Sequence, residues 1–207
     1  MTGLILYGDS VFFGYGASNK NMGCGRQLKT LLSVPVIIKA RNNITTQDAL
    51  TGLQNNALSG YNKYSDVIIL FGNNDCRLIG IDTPKISLKE YKNNLIEIIN
   101  LITSCGKKCY ISNLQPINDA QVIRVDEEIR KNMKKIKSPY LWHRQYSDTC
   151  EEAARTCNIP LIDIRTPLEN ASKGIFFIDG MHPNDAGHEI IAQVLYRVLL
   201  KQNPGPS

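Results

Sequence analysis

Five short apolar runs recur along the chain, at residues 3–8, 34–38, 66–71, 108–112 and 159–163. A strand with one wet face alternates apolar and polar positions. Runs this continuous predict strands buried on both sides, as in a parallel sheet. Between them the apolar period changes to that of a helix. Leu88, Tyr91, Leu95, Ile98, Ile99 and Ile102 share one helical face, and Ile190, Ile191, Val194, Leu195, Val198 and Leu199 share another after Pro183-Asn184. Ser87 with Glu90, and Thr45 with Asp48, have the spacing of capping boxes that open helices. The alternation of strand and helix predicts a single α/β domain over residues 1–202, closed by a covering helix. Residues 203–207, Asn-Pro-Gly-Pro-Ser, have the composition of a disordered end.

An open parallel sheet binds ligands outside the carboxyl ends of its strands. Ser10 directly follows the first run, Asn42-Asn43 the second and Asn74 the third. Three loops therefore bring polar side chains to one crevice. A serine hydroxyl becomes a nucleophile only when a histidine takes its proton and an acid orients that histidine. The chain has three histidines, His143, His182 and His188, and the segment Asp179-Gly180-Met181-His182 supplies acid and base on one loop. Pro183 keeps His182 out of helical geometry.

Gly8-Asp9-Ser10, Gly72-Asn73-Asn74-Asp75 and Asp179-Gly180-Met181-His182 stand in the order that marks the SGNH hydrolases, the GDSL esterases and lipases, which this sequence resembles from Ile5 to about Leu199. The resemblance implies a three-layer α/β/α, flavodoxin-like fold with a five-stranded parallel sheet, and a serine esterase acting on small acyl esters through an acyl-enzyme. It implies Ser10 as nucleophile, His182 as base and Asp179 as its partner. The oxyanion would be held by the Ser10 and Asn43 backbones and the Asn74 side chain, with Asp9 and Asp75 bracing the loops. It implies no cofactor and no metal. The departure from the family lies at Asn43, which stands where a glycine is expected; asparagine tolerates positive φ better than most residues, so its N–H is expected to serve. On the same marks, a carbohydrate deacetylase, a thioesterase or lysophospholipase, and an acyltransferase are alternatives, and a catalytically silent binding module is a non-enzyme one.

Other chemistries fit less well. Asp179, His182, Asp185 and His188 have a spacing that suggests metal ligands, but the proline breaks the helical register that would align them. Gly14-Tyr15-Gly16 lacks the third glycine of a dinucleotide loop, because Asn19 takes its place, and no GxSxG elbow occurs. A net charge of +5 is too small to argue for nucleic acid, and no apolar stretch has membrane-spanning length. Six cysteines without a CxxC pair read as thiols in a reducing compartment. The apolar strands begin almost at Met1, which leads to the expectation of a cytoplasmic protein. The segment 113–146 carries Arg124, Arg130, Lys131, Lys134, Lys135 and Lys137. It is read first as a solvated helix face over Met133 and Ile136, and second as a pocket wall.

Overall fold

The computed structural model describes residues 1–171 and 174–202; the 203–207 tail lies outside the described residues. In chain order the elements are β1 (Leu4–Gly8), α1 (Ser10–Phe13), a 3-10 turn (Lys20–Met22), α2 (Cys24–Leu31), β2 (Val36–Ala40), α3 (Thr46–Gln54) and β3 (Asp66–Leu70). A hairpin of β4 (Leu78–Gly80) and β5 (Thr83–Pro84) precedes α4 (Leu88–Ser104) and β6 (Lys108–Ser112). Then come α5 (Asp119–Val125), α6 (Glu127–Asn132), α7 (Pro139–Cys157), β7 (Leu161–Ile162), α8 (Arg165–Glu169) and α9 (Asp185–Gln202).

Five strands form one parallel sheet in the order β2-β1-β3-β6-β7. This is the flavodoxin-like order, whose switch point lies between β1 and β3. Helices α2 and α9 pack together, as do α3 with α4 and α4 with α7, so the sheet is flanked by helices. Every residue of β1 and β3 is buried, which is why those runs carry no polar alternation. The capping boxes at Thr45/Asp48 and Ser87/Glu90 are both formed.

Two strand expectations need correction. The second strand runs from Val36 to Ala40, not from residue 34 to 38, because Pro35 has no N–H for the ladder and contributes only its carbonyl, to Leu4 N at 2.9 Å. As an edge strand its middle is half exposed, so it does have a wet side. The last strand shrinks to Leu161–Ile162, paired only with Ile111 and Ser112 at the opposite edge. The β4–β5 hairpin was not expected at all. Its tip is fixed from a distance: the Asp82 carboxylate accepts the backbone N–H groups of Lys134 and Lys135 at 3.0 Å and of Ile136 at 3.2 Å.

In register, Gly8 pairs with both Ala40 and Leu70. Strands β2, β1 and β3 therefore end at one level. The loops that follow them leave the same edge side by side, and that is what brings Ser10, Asn43 and Asn74 near one another.

Candidate active site

Asp9 ends the β1 turn and caps α1, its carboxylate accepting the Val11 N–H at 3.0 Å. Ser10 thus begins a short helix and is almost buried at the sheet edge. Its Oγ lies 2.9 Å from His182 Nε2, and His182 Nδ1 lies 2.7 Å from Asp179 Oδ2. A carboxylate only accepts, so the shared proton sits on Nδ1 and leaves the Nε2 lone pair for the Ser10 hydroxyl. The other oxygen of Asp179 accepts two backbone N–H groups, from Met181 at 2.9 Å and His182 at 3.0 Å. Partial burial opposes ionisation, yet these bonds and the His182 ring hold the Asp179 carboxyl below its ordinary pKa.

The Asp179–His182 loop is shaped by Gly180, whose φ is 71°. A Cβ there would lie 2.5 Å from Gln121 Cβ and 3.0 Å from Val122 N, so α5 leaves room only for glycine. The Gly180 carbonyl accepts the Asn118 N–H at 2.8 Å, and Phe177 N donates to the His182 carbonyl at 2.8 Å. The Tyr15 ring packs against the imidazole with centroids 4.4 Å apart.

Asn43 has φ 63°, within the left-handed region. Asn74 spends one amide N–H on the carbonyl of Ile44 at 2.8 Å, tying its loop to the Asn43 loop; a side-chain amide has a second N–H to give. Asp75 is buried and turned away, accepting the Thr46 N–H at 3.0 Å as well as the Thr46 hydroxyl. Burial raises both Asp9 and Asp75 to a pKa of about 6, against the hydrogen bonds that lower it.

Sequence reasoning missed a second layer. The Asn73 amide donates to Asp9 Oδ2 at 2.9 Å, and its oxygen accepts from Gln115 Nε2 at 2.8 Å and His143 Nε2 at 2.9 Å. Gln115 also donates to the Met181 carbonyl at 3.2 Å. The network joins the serine, asparagine and histidine loops. The bonds cross 42 and 70 residues of sequence, and no local pattern announces them. Burial, with the Arg165 charge added, lowers the His143 pKa to about 3, so the ring stays neutral.

Ser10, Asn43, Asn74 and His182 line a cavity of about 350 Å³ whose apolar wall includes Leu78, Ile117, Ile129, Met133, Trp142 and Met181. The segment 113–146, read first as a solvated face, thus supplies much of the wall, from Gln115 and Ile117 through Ile129 and Met133 to Trp142 and His143, as its second reading had it. Its four lysines remain exposed. His188 lies elsewhere, in the first turn of α9 and wholly buried. Among the described residues no cluster of His, Cys, Asp or Glu has the arrangement of a metal site. No helix among them is long and apolar enough to cross a membrane. All six cysteines are free thiols, and Cys24, Cys76, Cys109 and Cys150 are buried.

A serine hydroxyl, an imidazole and a carboxylate in hydrogen-bonded series beside an apolar-walled cavity are the groups that acyl transfer uses. The model of the GDSL-like lipase/acylhydrolase family matches residues 6–190, and the chain belongs to that family. It is 28% identical over 156 residues to the GDSL esterase/lipase CPRD49 of Arabidopsis thaliana, a match covering 68% of this chain and 56% of that protein. With YqeF of Bacillus subtilis, described as an uncharacterized lipoprotein, it shares 24% over 123 residues, 58% of this chain and 50% of that one. The chain thus spans about half the length of these curated relatives. A lipase/acylhydrolase of Enterococcus faecalis has the same fold at a TM-score of 0.75, with 21% identity and 100% coverage of both chains. The psychrotrophic esterase EstA of Pseudoalteromonas sp., inhibited by monoethylphosphonate in its structure, gives 0.71 with 16% identity, covering 99% of this chain and 100% of that one.

Proposed function

We propose that residues 1–202 form one serine esterase domain that hydrolyses small acyl esters through an acyl-enzyme. The observation that carries this reading is the unbroken relay from Asp179 through His182 to Ser10, at 2.7 and 2.9 Å, beside the cavity. Ser10 Oγ attacks the ester carbonyl while His182 Nε2 takes its proton. The carbonyl oxygen becomes an oxyanion, met by the Ser10 and Asn43 backbone N–H groups and the second N–H of Asn74. Collapse expels the alcohol, which receives the proton from His182. Water then repeats the sequence on the acyl-enzyme and releases the acid.

Charge develops on the oxyanion, so donors already fixed by the Asn74–Ile44 tie stabilise the transition state without reorganising. Besides the ester and water, every step uses side chains and backbone of this chain. We infer a cytoplasmic location, with which six unpaired cysteines agree.

The test is labelling by an activated alkyl phosphonate together with turnover of a short-chain p-nitrophenyl ester. One phosphonyl group on the peptide that contains Ser10, with turnover lost in step, is the expected result. Full turnover after stoichiometric labelling of Ser10 would overturn the assignment.

A further inference from the structure

The β4–β5 hairpin has two faces of unlike character. Leu78 points inward to the cavity, whereas Ile79 and Ile81 are each 63% exposed. A single exposed isoleucine on a surface needs no explanation; two on a clamped hairpin whose inner neighbour lines the cavity invite one. The clamp is the Asp82 carboxylate, which holds the N–H groups of Lys134, Lys135 and Ile136, while Asp82 N donates to the Asn132 carbonyl at 2.8 Å. The isoleucines are thereby joined to a stretch, Arg130 to Lys137, that contains five cations and no acid. Lys131, Lys134, Lys135 and Lys137 are exposed, and none makes an ion pair among the described residues. Of the acids opening α6, Glu128 is paired with Arg77 at 3.0 Å.

We propose that this ridge docks the mouth of the cavity on an anionic lipid surface, with Ile79 and Ile81 entering the acyl boundary and the lysines meeting the headgroups. Apolar side chains flanked by unpaired lysines match that surface in both polarity and charge. A soluble acidic partner would match the lysines and leave the isoleucines unexplained. The ridge adjoins Ile129 and Met133 of the cavity wall, so a docked molecule receives an amphiphilic acyl ester without passing it through water. This purpose rests on the esterase reading; the binding itself does not.

Sedimentation with vesicles tests it, using phosphatidylcholine alone or mixed with phosphatidylglycerol. The wild-type chain is expected to bind the mixed vesicles, to bind them less as salt rises, and to ignore the neutral ones. Lys134→Gln with Lys135→Gln is expected to weaken binding roughly 25-fold, at about fivefold per lysine. Ile79→Thr with Ile81→Thr is expected to weaken it roughly tenfold or more. Both variants should turn over a soluble short-chain ester as the wild type does, which also reports that they fold. No binding of the wild type to mixed vesicles, equal binding to neutral ones, or wild-type binding by either variant would overturn the proposal. Vesicle binding by a chain that hydrolyses no ester would support the surface and refute the esterase reading instead.

Discussion

The chain contains the spacing Asp-x-x-His twice within ten residues, at Asp179–His182 and again at Asp185–His188, and the two copies do unlike things. In the first, a loop held by Gly180 lets the carboxylate grip the imidazole at 2.7 Å while the far nitrogen faces Ser10. In the second, the residues open α9. Asp185 turns outward to the Ser18 hydroxyl at 2.6 Å and the Ser18 N–H at 2.7 Å. His188 turns inward, its Nδ1 accepting from Cys24 N at 3.3 Å and its Nε2 donating to the Tyr15 carbonyl at 3.0 Å. Spacing selects which side chains are near one another along the chain; backbone conformation decides whether they meet. Pro183 lies between the two copies, and after it the Asn184 side chain accepts the Gly187 N–H at 3.1 Å as α9 begins at Asp185.

The comparison breaks most plainly if the histidines are exchanged in importance. His182→Ala should lower kcat by roughly a millionfold, the scale seen where serine and histidine act as one unit. His188→Ala should keep turnover within about tenfold in the folded protein. It should instead lose about 3 kcal/mol of stability, because a buried N–H and carbonyl are left unpaired, and melt roughly 10 °C lower. Steady-state kinetics beside thermal unfolding separates the two, and a large loss of kcat in His188→Ala would end the distinction.

The acids sharpen it next. Asp179→Asn should cost up to about ten-thousandfold in kcat, since an amide in place of the carboxylate no longer fixes the tautomer. Asp185→Asn should leave kcat unchanged and shift stability by no more than about 0.5 kcal/mol, as expected for an exposed contact. Comparable kcat values in the two variants would refute the role given to Asp179.

The histidines differ also in what pH does to them. Burial lowers the His188 pKa below that of an ordinary imidazole, and a proton on Nδ1 would also displace the Cys24 N–H it accepts. The folded state therefore resists a proton that the unfolded state takes up. Stability is full above pH 6.5 and falls as pH drops toward the lowered folded value, by at most about 2 kcal/mol per wholly neutral imidazole between pH 6.5 and 5. Urea midpoints at pH 7 and 5 should converge partly in His188→Gln, the remaining difference combining the buried His143, which acts in the same direction, with Asp9 and Asp75, whose raised pKa of about 6 acts in the opposite one. An unchanged slope would show that the His188 ring is not held neutral.

The sequence was most legible where a local pattern and a local structure coincide. β1 and β3 are buried on both faces, so Leu4 to Leu6 and Val67 to Leu70 had to be apolar, and the polar residues after them marked the functional edge. Legibility failed at the sheet margins. β2 is half wet and β7 makes a short pairing, so burial no longer dictated their extent. It failed again where structure depends on distant partners: the hairpin at Leu78 is positioned by Asp82 and residues 134–136, and Asn73 by Gln115 and His143. The outward turn of Asp185 was equally hidden, since nothing near it in sequence names Ser18.

The bond between Ser10 and His182 closes a span of 172 residues. Contacts that distant are costly to form early, because loop closure must precede any reward. The serine side of the crevice needs only β1 to β3, which lie in the first third of the chain, while the imidazole arrives with the loop before α9. During refolding, helical circular dichroism should therefore recover before reactivity at Ser10 does. On the esterase reading, nucleophilicity is then expected to be a late event of folding, and its appearance would report that the two ends of the chain have found each other.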